Sequence, residues 1–208
     1  MLYKYLRVSL FSLLCSSSLI AAEVHEFFLD NGLQLIVKED HRAPVVVSQV
    51  WYKVGASYEM EGKTGLSHML EHMMFKGTEK YSPGEFSRIM AANGARENAF
   101  TGSDYTAYFQ TLEKSRLYLS FEMEADRMRN LVLIEEEFSK ERQVVTEERR
   151  RRTDDKPINQ MYEYFMATAY QTSPYQHPII GWMSDIQNYT LADLQTWYQR
   201  WYAPNNAT

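Results

Sequence analysis

The order of strand-like and helical segments limits what this chain can fold into more than any other feature. Two apolar runs, residues 27–29 and 33–37, flank Asp30-Asn31-Gly32, and Asn-Gly between apolar runs is a strong signal for a β-hairpin. Residues 45–54 predict a third strand because they are rich in β-branched and aromatic side chains. Residues 93–111 predict two further strands, separated by a short polar turn.

Most of the remaining segments have helical patterns. Ser82-Pro83-Gly84-Glu85 predicts a helix with Ser82 as its N-terminal cap that continues to about Ala92. Thr190, followed three residues later by Asp193, predicts another helix start. Further helices are predicted over residues 66–75, 114–152 with a break near Asn130, and 158–170. Because strands come first and helices mostly follow, we expect an α+β fold in which helices cover a largely antiparallel sheet.

The first 22 residues have the three-part pattern of a secretory signal. Lys4 and Arg7 precede an apolar stretch that ends at Ala21-Ala22, and we expect cleavage after Ala22. The alternative, a membrane anchor, is disfavoured because the apolar run is far shorter than about 20 residues. The expected division is a signal peptide over residues 1–22 and one domain over residues 23–208, which predicts an exported protein, periplasmic or secreted, without a stable membrane anchor.

Composition excludes several classes of function. The 208 residues include 22 Lys+Arg and 27 Asp+Glu, which give a formal net charge of -5. Nucleic-acid binding needs a cationic surface, and the basic run at residues 149–152 is more typical of a solvated helix end, so we expect no nucleic-acid partner. The single cysteine, Cys15, excludes a disulfide framework, and any metal must therefore be bound by His, Asp or Glu.

A possible metal site lies within the helix predicted over residues 66–75. His68 and His72 are four residues apart and project from one helix face. Two imidazoles can share one Zn²⁺ ion and leave a position open for water, while Glu71 can accept a proton from that water. This HxxEH arrangement is the inverted zincin motif. The alternative is that these are two surface histidines near a glutamate, since a match over only five residues can occur by chance.

A third ligand is suggested by a later helix. Phe138, Glu141, Val145 and Glu148 share one helix face, and a carboxylate on an apolar face needs a cation or a hydrogen-bond network. Glu147 falls off this stripe, so the periodicity favours Glu148 over Glu147. An exposed helix with an accidental stripe is the alternative, and periodicity alone does not show that Glu148 reaches the histidines.

These motifs resemble those of the pitrilysin family of zinc peptidases, which includes insulin-degrading enzyme and the mitochondrial processing peptidases. The resemblance rests on residues 65–78 (GLSHMLEHMMFKGT), on residues 141–148 (ERQVVTEE), and on similar segments at 98–108, 177–182 and 202–207. It implies that His68, His72 and Glu148 bind one Zn²⁺ ion per chain. It further implies that Glu71 is the general base and that Glu141 supports the metal ligands without binding the metal ion itself.

The same resemblance implies a way of binding substrate. Asn98-Ala99-Phe100-Thr101 looks like the family's edge strand, to which an extended peptide adds as a further strand, with a side-chain pocket near Phe100. The alternative for this segment is an ordinary sheet strand with core aromatics. His25, His41 and His177 have no metal-like spacing and are expected in loops or on the surface.

The resemblance covers residues 25–208 of this chain. Members of the family have two related halves, and the chain resembles most of the first half, so we expect this domain to be truncated at its C-terminal end. It implies an exported zinc metalloendopeptidase that acts on peptides or unfolded proteins. A second half, a partner subunit or a second copy of the chain would complete the site. The alternative is a zinc- or peptide-binding fragment or subunit that has no activity without such a partner.

Overall fold

The computed structural model describes residues 23–208, so the predicted signal peptide lies outside the described residues. Strands β1 (Val24–Phe28) and β2 (Gln34–Lys38) form the predicted antiparallel hairpin, in which Val24 pairs with Lys38 and Phe28 with Gln34. Gly32 adopts a positive φ of 86° in the turn, a conformation that glycine allows at little cost. This pair forms a small sheet of its own.

The second sheet has three antiparallel strands, β3 (Val45–Tyr52), β4 (Arg96–Thr101) and β5 (Thr106–Glu113). Its order is β3-β5-β4, so β4 lies at an edge that has no strand partner among residues 23–208. The far edge of β3 is partly paired, because the backbone of Trp51 exchanges hydrogen bonds of 2.8 and 2.9 Å with Thr208.

Seven α-helices are described between residues 23 and 208, and most follow the strands as the sequence predicts. The prediction for Ser82 is wrong in detail: Gly84 caps the second helix with a φ of 74°, and Ser82 lies in the preceding turn. None of the described helices has the length and apolar character needed to cross a bilayer. The helices are α1 (Leu66–Met73), α2 (Glu85–Ala92), α3 (Leu117–Asn130), α4 (Glu135–Arg149), α5 (Pro157–Ala169), α6 (Met183–Asn188) and α7 (Leu191–Trp201).

The core lies between the three-stranded sheet and the helices. Tyr52 and Tyr108 point from neighbouring strands toward α1, which buries Met69, Leu70 and Met73. Helices α4, α6 and α7 close this core with apolar residues, and α1 is therefore surrounded by packing on most sides. The prediction of an α+β fold with helices on an antiparallel sheet is confirmed, since solved structures of the same architecture match the chain, as described below.

A buried arginine joins α3 to the core. Arg127 is 1% exposed, and its guanidinium lies 4.4–5.1 Å from the ring centroids of Tyr108, Phe75 and Phe86. Its Nε donates a 2.8 Å hydrogen bond to Glu124, which is equally buried. The positive charge is thus balanced by one carboxylate and stabilised by three aromatic faces.

Replacing Arg127 with alanine is expected to reduce the free energy of unfolding by about 3–5 kcal/mol, because it leaves the buried Glu124 carboxylate without its partner. Urea titration followed by circular dichroism measures this change. Arg129→Ala is the control, since Arg129 is exposed on the same helix and should change stability little. Equal stability of the two variants would contradict the role given to Arg127.

Candidate active site

Helix α1 places the two histidines of the HxxEH motif side by side. His68 and His72 lie on one face, with ring centroids 4.6 Å apart, and His68 is buried. The helix is preceded by Gly65, which has a φ of 88° and lies against Gly181. A Cβ on Gly65 would lie 2.5 Å from the carbonyl oxygen of Ile180, and a Cβ on Gly181 would lie 2.4 Å from that of Thr64. Glycine is therefore required at both positions, and the crossing fixes where α1 starts.

A buried carboxylate caps the start of α1. Glu59 accepts hydrogen bonds of 2.6 Å from the backbone N–H groups of Gly65 and Ser67, which have no partner inside the helix. Burial raises the pKa of Glu59 to about 8, although both hydrogen bonds act in the opposite direction. Trp197 donates a 3.2 Å hydrogen bond to the Ser67 hydroxyl and adds a second anchor. The helix that carries the histidines is thus held at its N-terminus by side chains from two other segments.

Helix α4 brings Glu148 to the two histidines. Its Oε2 lies 3.4 Å from Nε2 of His72 and 3.8 Å from Nε2 of His68, and the three ligand atoms all lie within 4.8 Å of one another. Phe138 and Val145 are buried on the same face of α4, as the stripe predicts. Glu147 is exposed, so this helix face presents Glu148 and not Glu147 to the histidines.

Hydrogen bonding sets the proton positions around His72. Its Nδ1 lies 2.8 Å from Oε1 of Glu141, and the other oxygen of Glu141 contacts Nζ of Lys76. The ionised carboxylate of Glu141 can only accept a hydrogen bond, so Nδ1 of His72 is the donor. Nε2 of the neutral His72 imidazole then carries a lone pair. That lone pair faces the carboxylate oxygen of Glu148. Two acceptors at this distance repel unless a cation lies between them, and a proton or a divalent metal ion meets this need.

The pKa values of the two histidines are shifted in opposite directions. Burial lowers the pKa of His68 to about 4, with a further contribution from the charge of His72. For His72 burial acts in the same direction, but hydrogen bonds with Glu141 and Glu148 outweigh it and raise the pKa to about 9. This raised pKa favours the protonated form of His72 at neutral pH when no metal ion is bound, with a proton on Nε2 facing Glu148.

Glu71 lies in the cleft beside these side chains. Its Oε2 accepts a 2.5 Å hydrogen bond from the hydroxyl of Thr101, at the end of β4. Burial raises the pKa of Glu71, although this hydrogen bond acts in the opposite direction. A carboxyl group with a raised pKa is a better proton acceptor near neutral pH than an ordinary glutamate.

Strand β4 forms one wall of the same cleft, which Asn98, Ala99, Phe100 and Thr101 all line together with the HxxEH side chains. Thr101 points toward α1, and alternation along the strand places Phe100 on the opposite face of the sheet. There the ring of Phe100 packs against three other aromatic rings, those of Trp51, Tyr105 and Phe109.

Comparison with known proteins agrees with this geometry. The family model described as Insulinase (Peptidase family M16) matches residues 34–182. The chain belongs to this family. It is 45% identical over 180 residues to the zinc protease PqqE of Helicobacter pylori, a match that covers 86% of this chain and 40% of that relative. The resemblance seen in the sequence is therefore confirmed.

Solved structures of the insulinase family share the fold. A protease from Helicobacter pylori matches with a TM-score of 0.87 and 43% identity over 90% of this chain and 45% of that one. The first half of the periplasmic protease PqqL from Escherichia coli matches with a TM-score of 0.81 and 26% identity, over 90% of this chain and 43% of that one. The chain thus spans less than half the length of these relatives.

Several residues of the insulinase-family site were not predicted from the sequence. Glu59 lies in none of the motifs. Lys76 lies in the motif segment 65–78, but its contact with Glu141 is visible only in the folded chain. The interpretation of residues 149–152 as a solvated helix end is wrong for Arg149. This residue is buried and makes a bidentate ion pair with Glu163, with distances of 2.7 and 2.8 Å. His177 was expected in a loop or on the surface; it is in a loop but only 8% exposed, and it lines the cleft.

Zinc affinity is expected to rise about tenfold per pH unit between pH 6.5 and 8.5, because each bound ion displaces one proton from His72. The direction follows from the pKa of about 9, below which the imidazole is protonated and cannot ligate. Competition with a fluorescent chelator, corrected for the chelator's own protonation, measures the dissociation constant at each pH. Glu141→Gln should reduce the slope, since it removes the partner that raises this pKa. An affinity independent of pH in the parent chain would contradict the assignment.

Proposed function

We propose that this chain is the catalytic N-terminal half of an exported zinc metalloendopeptidase. His68, His72 and Glu148 would hold one Zn²⁺ ion, and Glu71 would be the general base. The observation that carries the proposal is the convergence of three ligand atoms within 4.8 Å, next to Glu71 and to the edge strand β4. Two histidines and one carboxylate with an open position form a donor set that suits zinc.

Each side chain has a distinct task in this proposal. A zinc ion held by these residues would act as a Lewis acid and would lower the pKa of a bound water to about 7. Glu71 would take a proton from the attacking water and pass it to the leaving amine. Glu141 and Lys76 hold the His72 ring in the tautomer whose Nε2 is free to ligate.

The substrate in this proposal is an extended peptide or an unfolded protein segment. Strand β4 has no strand partner on its outer edge in the described part of the chain, and this edge runs along the cleft. The backbone of a peptide of any sequence could pair with it. Asn98, Ala99, Phe100 and Thr101 would form this binding strand. Because Thr101 also contacts Glu71, a peptide on β4 would lie next to the general base.

A second reading follows from the length of the chain. It covers 40% of the length of the Helicobacter pylori relative, and substrate contacts from a second half, a partner subunit or a second copy would be absent from it. In that case the chain binds zinc or peptide without turnover, because transition-state contacts are lost even when the metal site is intact.

Cleavage of a quenched fluorescent peptide library in the presence of zinc tests the proposal. The parent chain is expected to cleave, whereas Glu71→Gln should bind zinc equally and lose at least about 100-fold in rate, since it lacks the general base. The zinc content of both proteins is measured, so that a difference in cleavage rate is not caused by a difference in bound zinc. Cleavage by Glu71→Gln at the parent rate would overturn the role of Glu71, and zinc binding by both without cleavage would favour the second reading.

Replacing a ligand should have a different effect from replacing the base. His68→Ala, His72→Ala and Glu148→Gln are each expected to weaken zinc binding itself, as measured by competition with a chelator. If Glu148→Gln bound zinc as tightly as the parent, Glu148 would not be the third ligand.

Export is the remaining part of the proposal. It is supported by the signal pattern of residues 1–22 and by the matched solved structure, which is described as a periplasmic protease. N-terminal sequencing of the protein recovered from a periplasmic fraction should begin at Glu23. A chain that keeps residues 1–22 and stays with the cytoplasmic fraction would count against it.

A further inference from the structure

The backbone changes conformation directly after the helix that carries Glu148. Residues Arg150–Asp154 form a single π-helical turn, in which the N–H of Asp155 donates a 2.8 Å hydrogen bond to the carbonyl of Arg150. Such turns are rare and occur often at functional sites. Arg152 lies in this turn, four residues after Glu148, and its Nη1 is 2.8 Å from Oε1 of the carboxylate.

The two oxygens of Glu148 therefore have different surroundings. Oε2 faces Nε2 of His72 and Nε2 of His68, at 3.4 and 3.8 Å, whereas Oε1 faces the guanidinium of Arg152. The carboxylate is largely buried, with 16% of its side chain exposed, and the ion pair with Arg152 favours this orientation of its two oxygens. Oε2 is therefore the oxygen of Glu148 that remains available on the side of His68 and His72.

The π-turn itself is firmly anchored. Arg149, the last residue of α4, is buried, pairs with Glu163 of α5 and donates a 2.9 Å hydrogen bond to the carbonyl of Gly181. Gly181 is the residue that lies against Gly65 at the start of α1. The turn that carries Arg152 is thus tied to the helix that carries the histidines.

The neighbours of Arg152 do not share its contact. Arg150 pairs with Glu147, away from the cleft, and Arg151 has no ion pair with any residue in the described part of the chain. Arg152 also lines the cleft together with the HxxEH side chains. Its side chain is 73% exposed, so its replacement removes this contact without opening the core.

We propose that Arg152 is a positioning residue that holds Glu148 as a metal ligand through one oxygen. The inference rests on the proposed function, since it requires a metal ion at this site. A carboxylate with both oxygens free can bind a metal ion through one oxygen or through both. Binding through both oxygens would occupy a coordination position that is otherwise available to water. By occupying Oε1, Arg152 keeps that position open. Arg152 acts through Glu148 and has no part in the proton transfers.

The test compares Arg152→Gln with the parent chain and with Arg151→Gln, a control in the same turn. Zinc affinity is measured by competition with a chelator, and the visible absorption of the Co²⁺-substituted proteins reports the coordination number. Arg152→Gln should weaken zinc binding about tenfold, as expected when a partner of a metal ligand is lost. Its Co²⁺ bands should lose intensity, because five-coordinate Co²⁺ absorbs more weakly than four-coordinate Co²⁺. Arg151→Gln should match the parent in both measurements.

Three results would overturn the proposal in distinguishable ways. Failure of the parent chain to bind Zn²⁺ or Co²⁺ would sink the proposed function together with this inference. Parent-like affinity and spectrum in Arg152→Gln would remove the role of Arg152 and leave the proposed function intact. Weaker affinity with an unchanged Co²⁺ spectrum would show that Arg152 helps to orient the Glu148 side chain but does not select one of its oxygens.

Discussion

The whole site depends on the close approach of electron-rich atoms from two helices. Nε2 of His68, Nε2 of His72 and Oε2 of Glu148 face one another in a largely buried place, where mutual repulsion and lost hydration both oppose folding. A cation among them makes the arrangement favourable, and the carboxylates of Glu141 and Glu148 raise the pKa of His72, which favours a proton in that place when no metal ion is bound. The stability of the folded chain therefore depends on a positive charge at this site, whatever that charge does in a reaction.

Other charged groups hold the surrounding atoms in place. Lys76, just beyond the end of α1, contacts Glu141 and so fixes the carboxylate behind His72. Glu59 holds the opposite end of the same helix by accepting from its first N–H groups. Arg149 then joins the end of α4 to Gly181, which touches Gly65. These links come from distant segments, so the relative position of α1 and α4 is fixed several times over.

Local signals explain which parts could be predicted from the sequence. Asn31-Gly32 specifies its hairpin by turn chemistry, and the stripe on α4 selects Glu148 over Glu147 because one residue of displacement rotates a side chain by about 100°. Glu59 could not be predicted in the same way, since its partners are backbone groups that become available only where α1 begins. Arg149 resembled a solvated helix end because its partner, Glu163, lies on a separate helix.

The hydrogen bond between Thr101 and Glu71 has a consequence for where a bound peptide would be cut. Backbone groups along one edge of an antiparallel strand repeat every two residues, about 6.8 Å, so a peptide paired with β4 can slide only in steps of that length without losing its hydrogen bonds. A shift of one residue would also turn its side chains to the other face. Because Thr101 ties Glu71 to this strand, a peptide paired with β4 in the proposed way would present one backbone position in each two-residue step to Glu71.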